Sequence, residues 1–247
     1  MTKPLLKGLI CDLDGVLIDS NDRVFDWNKY VVEVLFGKEF KYKNDDKFKD
    51  IYNDAYASHG LKGAYALFGI DLEKNIDFLK KNYTMWNDKF EVPIFSDVVS
   101  VLMEIYHTLH DRNYDIRLAI NSGNSLSKYL PQLERTGLMD IVAVSVTADD
   151  VEKSLIKPKP YTIAKTLKLL GVESNEALYI CDTSTDVTAS KRLLELGIEP
   201  VDMVLSTWGR FESPEAIKIL AEEDIVVKVT NEPEELIPFV YERCGLF

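Results

Sequence analysis

Hydrophobic residues along much of the chain fall into short runs that are separated by longer segments with helical spacing. The apolar run that begins at Gly8 and ends before Asp12 predicts a buried strand near the N-terminus. From about residue 116 onward the alternation becomes regular, which is typical of successive strands and helices. The later strands that this pattern predicts are Ile116–Ile120, Ile141–Val146, Ala177–Cys181, Val201–Leu205 and Ile225–Val229.

The segments between these runs carry apolar residues three and four positions apart, as one-faced helices do. The predicted helices are Ser96 or Asp97 to Leu109, Ser125–Arg135, Pro160–Leu170, Ser184–Leu196, Pro214–Glu222 and Glu232–Arg243. Strands that alternate with helices at this interval favour a mostly parallel sheet with helices on both faces. We therefore predict an α/β fold with a Rossmann-like core.

Residues 17–92 differ from the rest, because they show helical spacing without a strand pattern. One helix is predicted after Ser20 or Asn21, with its apolar positions at Val24, Trp27, Val31, Val34 and Leu35. A second begins near Asp46 and breaks at Gly60, and a third covers Leu72–Phe90. This region also holds 15 of the 26 aromatic residues, enough for a small core of its own. We predict a core domain of residues 1–16 and 93–247 and an inserted helical domain of residues 17–92.

Two carboxylates follow the first predicted strand. Asp12 and Asp14 are two positions apart, so an extended backbone points both side chains to the same side, and Gly15 permits a sharp turn after them. Carboxylates held this close repel each other and call for a bound cation or a shared proton. The alternative is a polar strand end with two solvated acids.

Polar side chains also follow three of the later strands. In open parallel sheets, ligands bind beyond the carboxyl ends of the strands, so these side chains are expected to meet Asp12 and Asp14 at one edge. Carboxylates with a lysine and a hydroxyl suit a hard, oxygen-liganded cation beside a phosphate. The residues at these ends are Asn121, Ser122 and Gly123, the segment Lys157-Pro158-Lys159-Pro160, and the segment Asp182-Thr183-Ser184-Thr185-Asp186.

Composition narrows the range of partners. The formal net charge is -12, which disfavours nucleic acid and anionic membranes but allows a small anionic substrate beside a metal ion. Residues 17–92 carry 14 acidic and 12 basic side chains, so most of the acidic excess lies elsewhere. Three scattered cysteines, no apolar run of bilayer length and no signal-peptide pattern lead us to expect a cytoplasmic protein without a membrane partner.

Together these motifs resemble those of the haloacid dehalogenase superfamily of phosphohydrolases, in particular phosphoglycolate-phosphatase-like members with a helical cap. The resemblance covers most of the chain, since residues 17–92 lie where such a cap belongs. It implies a Mg²⁺-dependent phosphatase that acts on a small phosphorylated metabolite. The matching segments are Asp12-Leu13-Asp14-Gly15-Val16 with Asp19 and Ser20, then Ser122, Lys157-Pro158-Lys159-Pro160, and Asp182-Thr183-Ser184-Thr185-Asp186.

The resemblance implies a role for each residue. Asp12 would attack phosphorus and form an aspartyl phosphate, and Asp14 would act as the general acid and base. The residues expected to bind the phosphate are Ser122, Gly123 and Lys157. Lys159 is an alternative to Lys157, although the Lys-Pro-x-Pro frame favours Lys157.

The resemblance also implies a magnesium site. The residues expected to hold Mg²⁺ are Asp12, Asp14 through its main-chain carbonyl, Asp182 and Asp186. Mg²⁺ and a lysine would offset the repulsion between an anionic nucleophile and an anionic phosphate.

Specificity is expected to come from the helical domain, where Arg23, His59 and Lys62 are candidates, each with a solvated surface side chain as the alternative. A phosphomutase of the β-phosphoglucomutase type is the closest alternative function, because Leu61-Lys62-Gly63 is similar to a cap segment of that enzyme. A non-hydrolytic phospho-acceptor or binding protein is the alternative from another class. We expect a monomer or a homodimer.

Overall fold

The computed structural model of the protein describes residues 5–87, 89, 92–127, 129–209 and 212–246. Among these residues, six parallel strands form one sheet in the order β3-β2-β1-β4-β5-β6. The strands are β1 Gly8–Cys11, β2 Arg117–Asn121, β3 Val142–Val146, β4 Ala177–Cys181, β5 Asp202–Ser206 and β6 Val226–Thr230. Each begins and ends within one residue of the range that the apolar runs predict, and the predicted α/β, Rossmann-like fold is confirmed.

The α-helices connect and cover these strands. Their bounds are α1 Asn21–Tyr30, α2 Asp46–Ala66, α3 Leu72–Asn87, α4 Ser96–Asp111, α5 Leu130–Arg135, α6 Tyr161–Leu170, α7 Ser184–Lys191, α8 Pro214–Ala221 and α9 Leu236–Arg243. A 3-10 segment, Arg192–Leu196, continues α7. None of the described helices is both long enough and apolar enough to span a bilayer.

Both faces of the sheet are buried. On one face, Ile10 and its neighbours from β2, β4 and β5 share a cluster with Ile163 and Leu167 of α6. On the other face, Leu9 is aligned with Leu118 and Leu178, and all three are buried. Because successive strand residues point to opposite sides, burial of both sets means that helices cover both faces.

The residues group into two compact units. The α/β unit comprises the chain up to Asp19 and from Pro93 onward, and the helical unit comprises Ser20–Val92. The helical unit has its own core of aromatic and aliphatic side chains, including Trp27, Phe48 and Tyr65. The predicted break in α2 is present, since His59 and Gly60 have non-helical backbone angles.

Two helix predictions were wrong in detail. Val34 was expected on the buried face of the first helix but is 63% exposed, because a π-helical turn, Val31–Leu35, follows α1 and changes the helical period there. The helix predicted from Ser125 begins at Leu130, because the Ser125 hydroxyl bonds instead to Ser127 and to Asp149. The predicted end of the third helix at Phe90 lies outside the described residues.

The turn after β1 is braced by the loop after β5. The Leu13 carbonyl accepts hydrogen bonds from the Leu17 and Ile18 amides, both at 2.9 Å, and Gly15 has a φ of 73°. The Trp208 indole N–H donates to the Val16 carbonyl at 3.2 Å. A Cβ at Gly209 would overlap the backbone of Gly15. Glycine is therefore required at position 209 because the two backbones approach closely, and not because of its own φ angle.

We therefore predict that Gly209→Ala loosens this turn and lowers the free energy of unfolding by about 1–3 kcal/mol, as overpacking does. Urea unfolding measures the stability, and hydrogen exchange measures amide protection at residues 15, 17 and 18. Gly197→Ala is the control, because Gly197 has a φ of 72° with open space around it. That variant should also lose stability, from backbone strain, yet leave protection in the turn unchanged. Equal protection in both variants would contradict the bracing.

Candidate active site

Asp12 lies immediately after β1. In the six-stranded sheet, three strands lie on the β4 side of β1 and two lie on its β2 side. Its amide donates to the Ile180 carbonyl at 2.9 Å, which continues the pairing with β4. Its Oδ1 accepts hydrogen bonds from the Leu13 amide at 2.8 Å and from the Lys157 ammonium at 2.9 Å. The carboxylate is therefore held by backbone and side chain together, and Asp12 is only 7% exposed.

Lys157 is the buried cation of this site, with a side chain that is 5% exposed. Besides Asp12, its ammonium contacts Asp186 Oδ1 at 2.7 Å, the Asn121 carbonyl at 3.0 Å and the Tyr179 hydroxyl. Burial alone would lower the pKa of Lys157, but Asp12 and Asp186 outweigh it and the pKa is raised. Lys157 consequently remains charged. The alternative, Lys159, is exposed.

Three buried carboxylates converge beside this lysine. Asp12, Asp182 and Asp186 each offer an oxygen, and these oxygens lie within 4.8 Å of one another. Asp186 is fixed by the Thr183 hydroxyl at 2.6 Å and by Tyr179 at 3.0 Å. Asp182 differs, because neither of its buried oxygens has a hydrogen-bond partner among the described residues. An ionised carboxylate that is buried without hydrogen-bond partners costs free energy unless a cation binds to it.

The pKa values of two carboxyl groups in the cluster reflect their burial and the excess of carboxylates over cations there. Burial, with Asp186 as the next cause, raises the pKa of Asp12 to about 7, although Lys157 opposes the shift. Burial and the neighbouring Asp12 raise the pKa of Asp182 well above its usual range. The residues present thus fit a hard divalent cation, for which carboxylate oxygens are the preferred ligands.

The remaining predicted site residues lie at the ends of β1 and β2. The Asn124 side-chain amide donates to Asp14 Oδ2 at 2.8 Å, and the Asn124 backbone amide donates to the Ser122 hydroxyl at 3.0 Å. Gly123 lies beside Ile156, where a Cβ would come within 3.3 Å of that side chain. The Asp14 carboxylate is not one of the three that make up the close cluster.

Sequence reasoning missed Tyr179 and Asn124 as site residues. Tyr179 belongs to an otherwise apolar strand, yet its hydroxyl contacts both Lys157 and Asp186. The signal that could have identified Tyr179 is its position in β4. Its phenol lies on the same face of the strand as Cys181, and Cys181 directly precedes Asp182. The side chain of Asn121, noted for its position, donates to the Thr166 hydroxyl at 2.8 Å and accepts from the Tyr179 hydroxyl at 3.3 Å.

The three candidate specificity residues all belong to the helical unit. His59 is exposed at the break in α2. Lys62 is exposed and pairs with Glu73 at 2.6 Å, which raises the pKa of the lysine. Arg23 is half-buried and lines a cavity of this unit. Their roles in specificity stay predictions.

Known proteins are similar to this chain in sequence and in fold. The chain is 25% identical to a phosphoglycolate phosphatase of Aquifex aeolicus over 189 residues, which cover 76% of this chain and 81% of that protein. It is 24% identical to the pyrophosphatase PpaX of Halalkalibacterium halodurans over 189 residues, covering 75% of this chain and 79% of that protein.

Among solved structures, a putative β-phosphoglucomutase of Thermotoga maritima matches with a TM-score of 0.65 at 20% identity, covering 96% of this chain and 99% of that one. A putative phosphoglycolate phosphatase of Lactobacillus delbrueckii subsp. bulgaricus matches with a TM-score of 0.66 at 17% identity, covering 96% and 99%. At such identities the structural likeness establishes the fold alone.

The family follows from a match that spans most of the chain. The family model described as haloacid dehalogenase-like hydrolase matches residues 9–194, a range that includes every residue of the carboxylate and lysine cluster. This confirms the family that the motif set resembles. The chain belongs to the haloacid dehalogenase-like hydrolases.

Proposed function

We propose that this protein is a Mg²⁺-dependent phosphatase that hydrolyses a small phosphorylated metabolite through an aspartyl-phosphate intermediate. The observation that carries the proposal is the buried cluster of Asp12, Asp182 and Asp186, in which the Asp182 oxygens have no partner among the described residues. A buried lysine contacts two of these three carboxylates. Such a site binds a cation and a phosphate next to a fixed nucleophile.

Asp12 is the proposed nucleophile. The hydrogen bonds from Lys157 and from the Leu13 amide fix its orientation, so the second oxygen can be directed at phosphorus. Lys157 also supplies positive charge for the phosphoryl oxygens as the two anions approach. Mg²⁺ held by Asp12, Asp182 and Asp186 would neutralise further charge on the phosphate.

Asp14 is the proposed general acid and base. It would protonate the leaving oxygen and then take a proton from the water that resolves the intermediate. Its hydrogen bond from Asn124 holds the carboxylate in place, and the same asparagine positions Ser122 through its backbone amide. Ser122 and Gly123 would bind a phosphoryl oxygen at the end of β2.

The names of the relatives favour a small substrate. Proteins named phosphoglycolate phosphatase and pyrophosphatase PpaX match three quarters of this chain, and both names describe small phosphorylated compounds as substrates. This supports a small phosphorylated metabolite. The acidic surface, with a net charge of -12, makes a nucleic-acid substrate unfavourable.

Phosphate release from 4-nitrophenyl phosphate in the presence of Mg²⁺ tests the proposed mechanism. Asp12→Asn should lower the rate by at least about 10³-fold, because the nucleophile is lost, and EDTA should abolish activity reversibly. Asp224→Asn is the matched control, since it removes an exposed carboxylate and should retain full activity. Activity that survives EDTA or Asp12→Asn would refute the mechanism. Slow release that depends on an added sugar bisphosphate would indicate a phosphomutase instead.

The second prediction is that stability in EDTA falls as the pH rises from about 4 to about 7. The pKa of Asp12 is about 7 in the folded chain against an ordinary 3.8, so the folded state holds the extra proton in this window and loses stability as that proton leaves. Asp182 shifts in the same direction. Mg²⁺ should raise the melting temperature most above pH 7, by about 2–4 °C for each kcal/mol gained.

Thermal unfolding at pH 5, 6, 7 and 8, with EDTA or with Mg²⁺, measures this dependence. Asp182→Asn is the informative variant, because it removes one buried carboxylate and should show a smaller loss of stability with pH and a smaller gain from Mg²⁺. Asp224→Asn should behave like the wild type. The prediction fails if stability in EDTA rises with pH across this window, or if Asp182→Asn responds as the wild type does.

The third prediction concerns Tyr179. Burial, with Asp186 as the next cause, raises the pKa of its hydroxyl, so the group remains a hydrogen-bond donor. Tyr179→Phe should lower kcat about 10- to 150-fold with little change in KM, since one hydrogen bond to a charged group is worth about 1.5–3 kcal/mol. Because the hydroxyl supports Lys157 and Asp186, the variant should also need more Mg²⁺ for half-maximal activity. An unchanged kcat and Mg²⁺ requirement would show that Tyr179 is only a packing residue.

A further inference from the structure

A group of buried polar side chains joins α6 to the Lys157 ammonium. Its members are Asn121, Thr162, Thr166 and Tyr179, and all four are fully buried. The rest of the layer between the sheet and α6 is an apolar core. A polar side chain in such a layer costs free energy unless it is hydrogen-bonded, so packing alone would favour apolar residues at these positions.

Two threonines of α6 fix the side chain of Asn121. The Thr166 hydroxyl donates its proton to the Thr162 carbonyl at 2.9 Å, so its oxygen is left to accept a hydrogen bond. The Asn121 side-chain amide donates to that oxygen at 2.8 Å, and the Thr162 hydroxyl donates to Asn121 Oδ1 at 3.3 Å. Both ends of the side chain are therefore bound to one helix, and Oδ1 is the end that meets the Tyr179 hydroxyl.

The direction of the Tyr179 proton depends on its neighbours. The hydroxyl lies 3.0 Å from Asp186 Oδ1 and 3.3 Å from both the main-chain oxygen and Oδ1 of Asn121. A phenol carries one proton, which turns freely about the C–O bond unless an acceptor fixes it. The acceptor that takes this proton also sets the direction of the lone pairs to which Lys157 donates.

Lys157 has fewer protons than acceptors. An ammonium carries three protons, whereas four oxygens of the described residues lie within hydrogen-bond distance of it, from Asp12, Asn121, Tyr179 and Asp186. A phosphoryl oxygen would add one acceptor more. The way in which Lys157 divides its protons therefore depends on how firmly each of these oxygens is oriented.

We propose that Asn121 is a positioning residue that orients the Tyr179 hydroxyl and, through it, the Lys157 ammonium. Thr162 and Thr166 hold Asn121 in the orientation that this requires. The effect on catalysis rests on the proposed phosphatase function, whereas the effect on the lysine does not. The main-chain contact between Asn121 and Lys157 is kept when the side chain is replaced, so variants at position 121 report on the side chain.

The kinetic test is a double-mutant cycle with 4-nitrophenyl phosphate and Mg²⁺. Asn121→Leu is similar in size but cannot form hydrogen bonds, and it should lower kcat about 3- to 10-fold with little change in KM, as one neutral hydrogen bond does. If Asn121 acts through Tyr179, the variant with both Asn121→Leu and Tyr179→Phe should lose no more than Tyr179→Phe alone, within about twofold. A wild-type kcat in Asn121→Leu, or losses that multiply in the double variant, would overturn the proposal.

Variants of Thr166 test the same network from α6. Thr166→Val keeps the shape of the side chain but removes the hydroxyl that fixes the Asn121 amide, so kcat should fall about 2- to 5-fold. Thr166→Ser keeps the hydroxyl and loses a methyl group, and it should restore most of kcat. A role in packing alone predicts the reverse order. Thr136→Val is the matched control, because the hydroxyl that it removes donates to the Leu133 carbonyl at the end of α5, and it should keep kcat.

A measurement without catalysis separates this proposal from the proposed function. In EDTA, proton–nitrogen correlation NMR detects the buried Lys157 ammonium apart from the backbone amides, and its loss in Lys157→Met assigns it. Thr166→Val should shift this signal, Thr166→Ser should return it toward its wild-type position, and Thr136→Val should leave it unchanged.

The two failures then look different. A wild type that does not hydrolyse the ester, together with these shifts, refutes the phosphatase and leaves the positioning role of Asn121 supported. An active wild type whose Lys157 signal and kcat are both unchanged in Thr166→Val refutes the positioning role alone.

Discussion

The structure depends on one electrostatic constraint, which is the burial of three carboxylates and one ammonium at the end of β1. Asp12, Asp182 and Asp186 carry more negative charge than Lys157 can neutralise, and removing each ion from water costs several kcal/mol. The contacts to Asp12 and Asp186 recover part of that cost as charge-assisted hydrogen bonds. The remainder is an unfavourable free energy that the proposed divalent cation would offset. Such a cost favours a binding role for the cluster over a role in stabilising the fold.

The sheet supplies the rigidity that this constraint requires. Because β1 lies between β2 and β4, the residues after all three strands meet at one edge. The pairing of the Asp12 amide with Ile180 extends the strand geometry to the proposed nucleophile. The turn beyond Asp14 is held from the side by Trp208 and by the close approach of Gly209. Positions near repelling charges need such support, because nothing in their own electrostatics keeps them together.

The strands and the carboxylate cluster follow from local sequence patterns and could be predicted. Contacts between residues that are distant in the sequence could not. Apolar runs located each strand to within one residue, and the order of polar residues at strand ends located the cluster. Tyr179 was missed because its contact with Lys157 depends on which residues of β4 lie near that lysine in the folded chain. The spacing of residues along the sequence does not give that distance. The early start predicted for α5 failed for a related reason, since the Ser125 hydroxyl finds Asp149 in a distant part of the chain.

Charge is divided unevenly along the chain. Residues 17–92 carry a net charge of -2, so the other residues carry -10, and the carboxylate cluster belongs to the more acidic part. An acidic part can hold an anionic phosphate only where the sign of the potential is reversed locally, which Lys157 begins and the proposed divalent cation would complete. In this acidic chain an anion is therefore favoured where a buried lysine and a bound cation together would outweigh the neighbouring carboxylates.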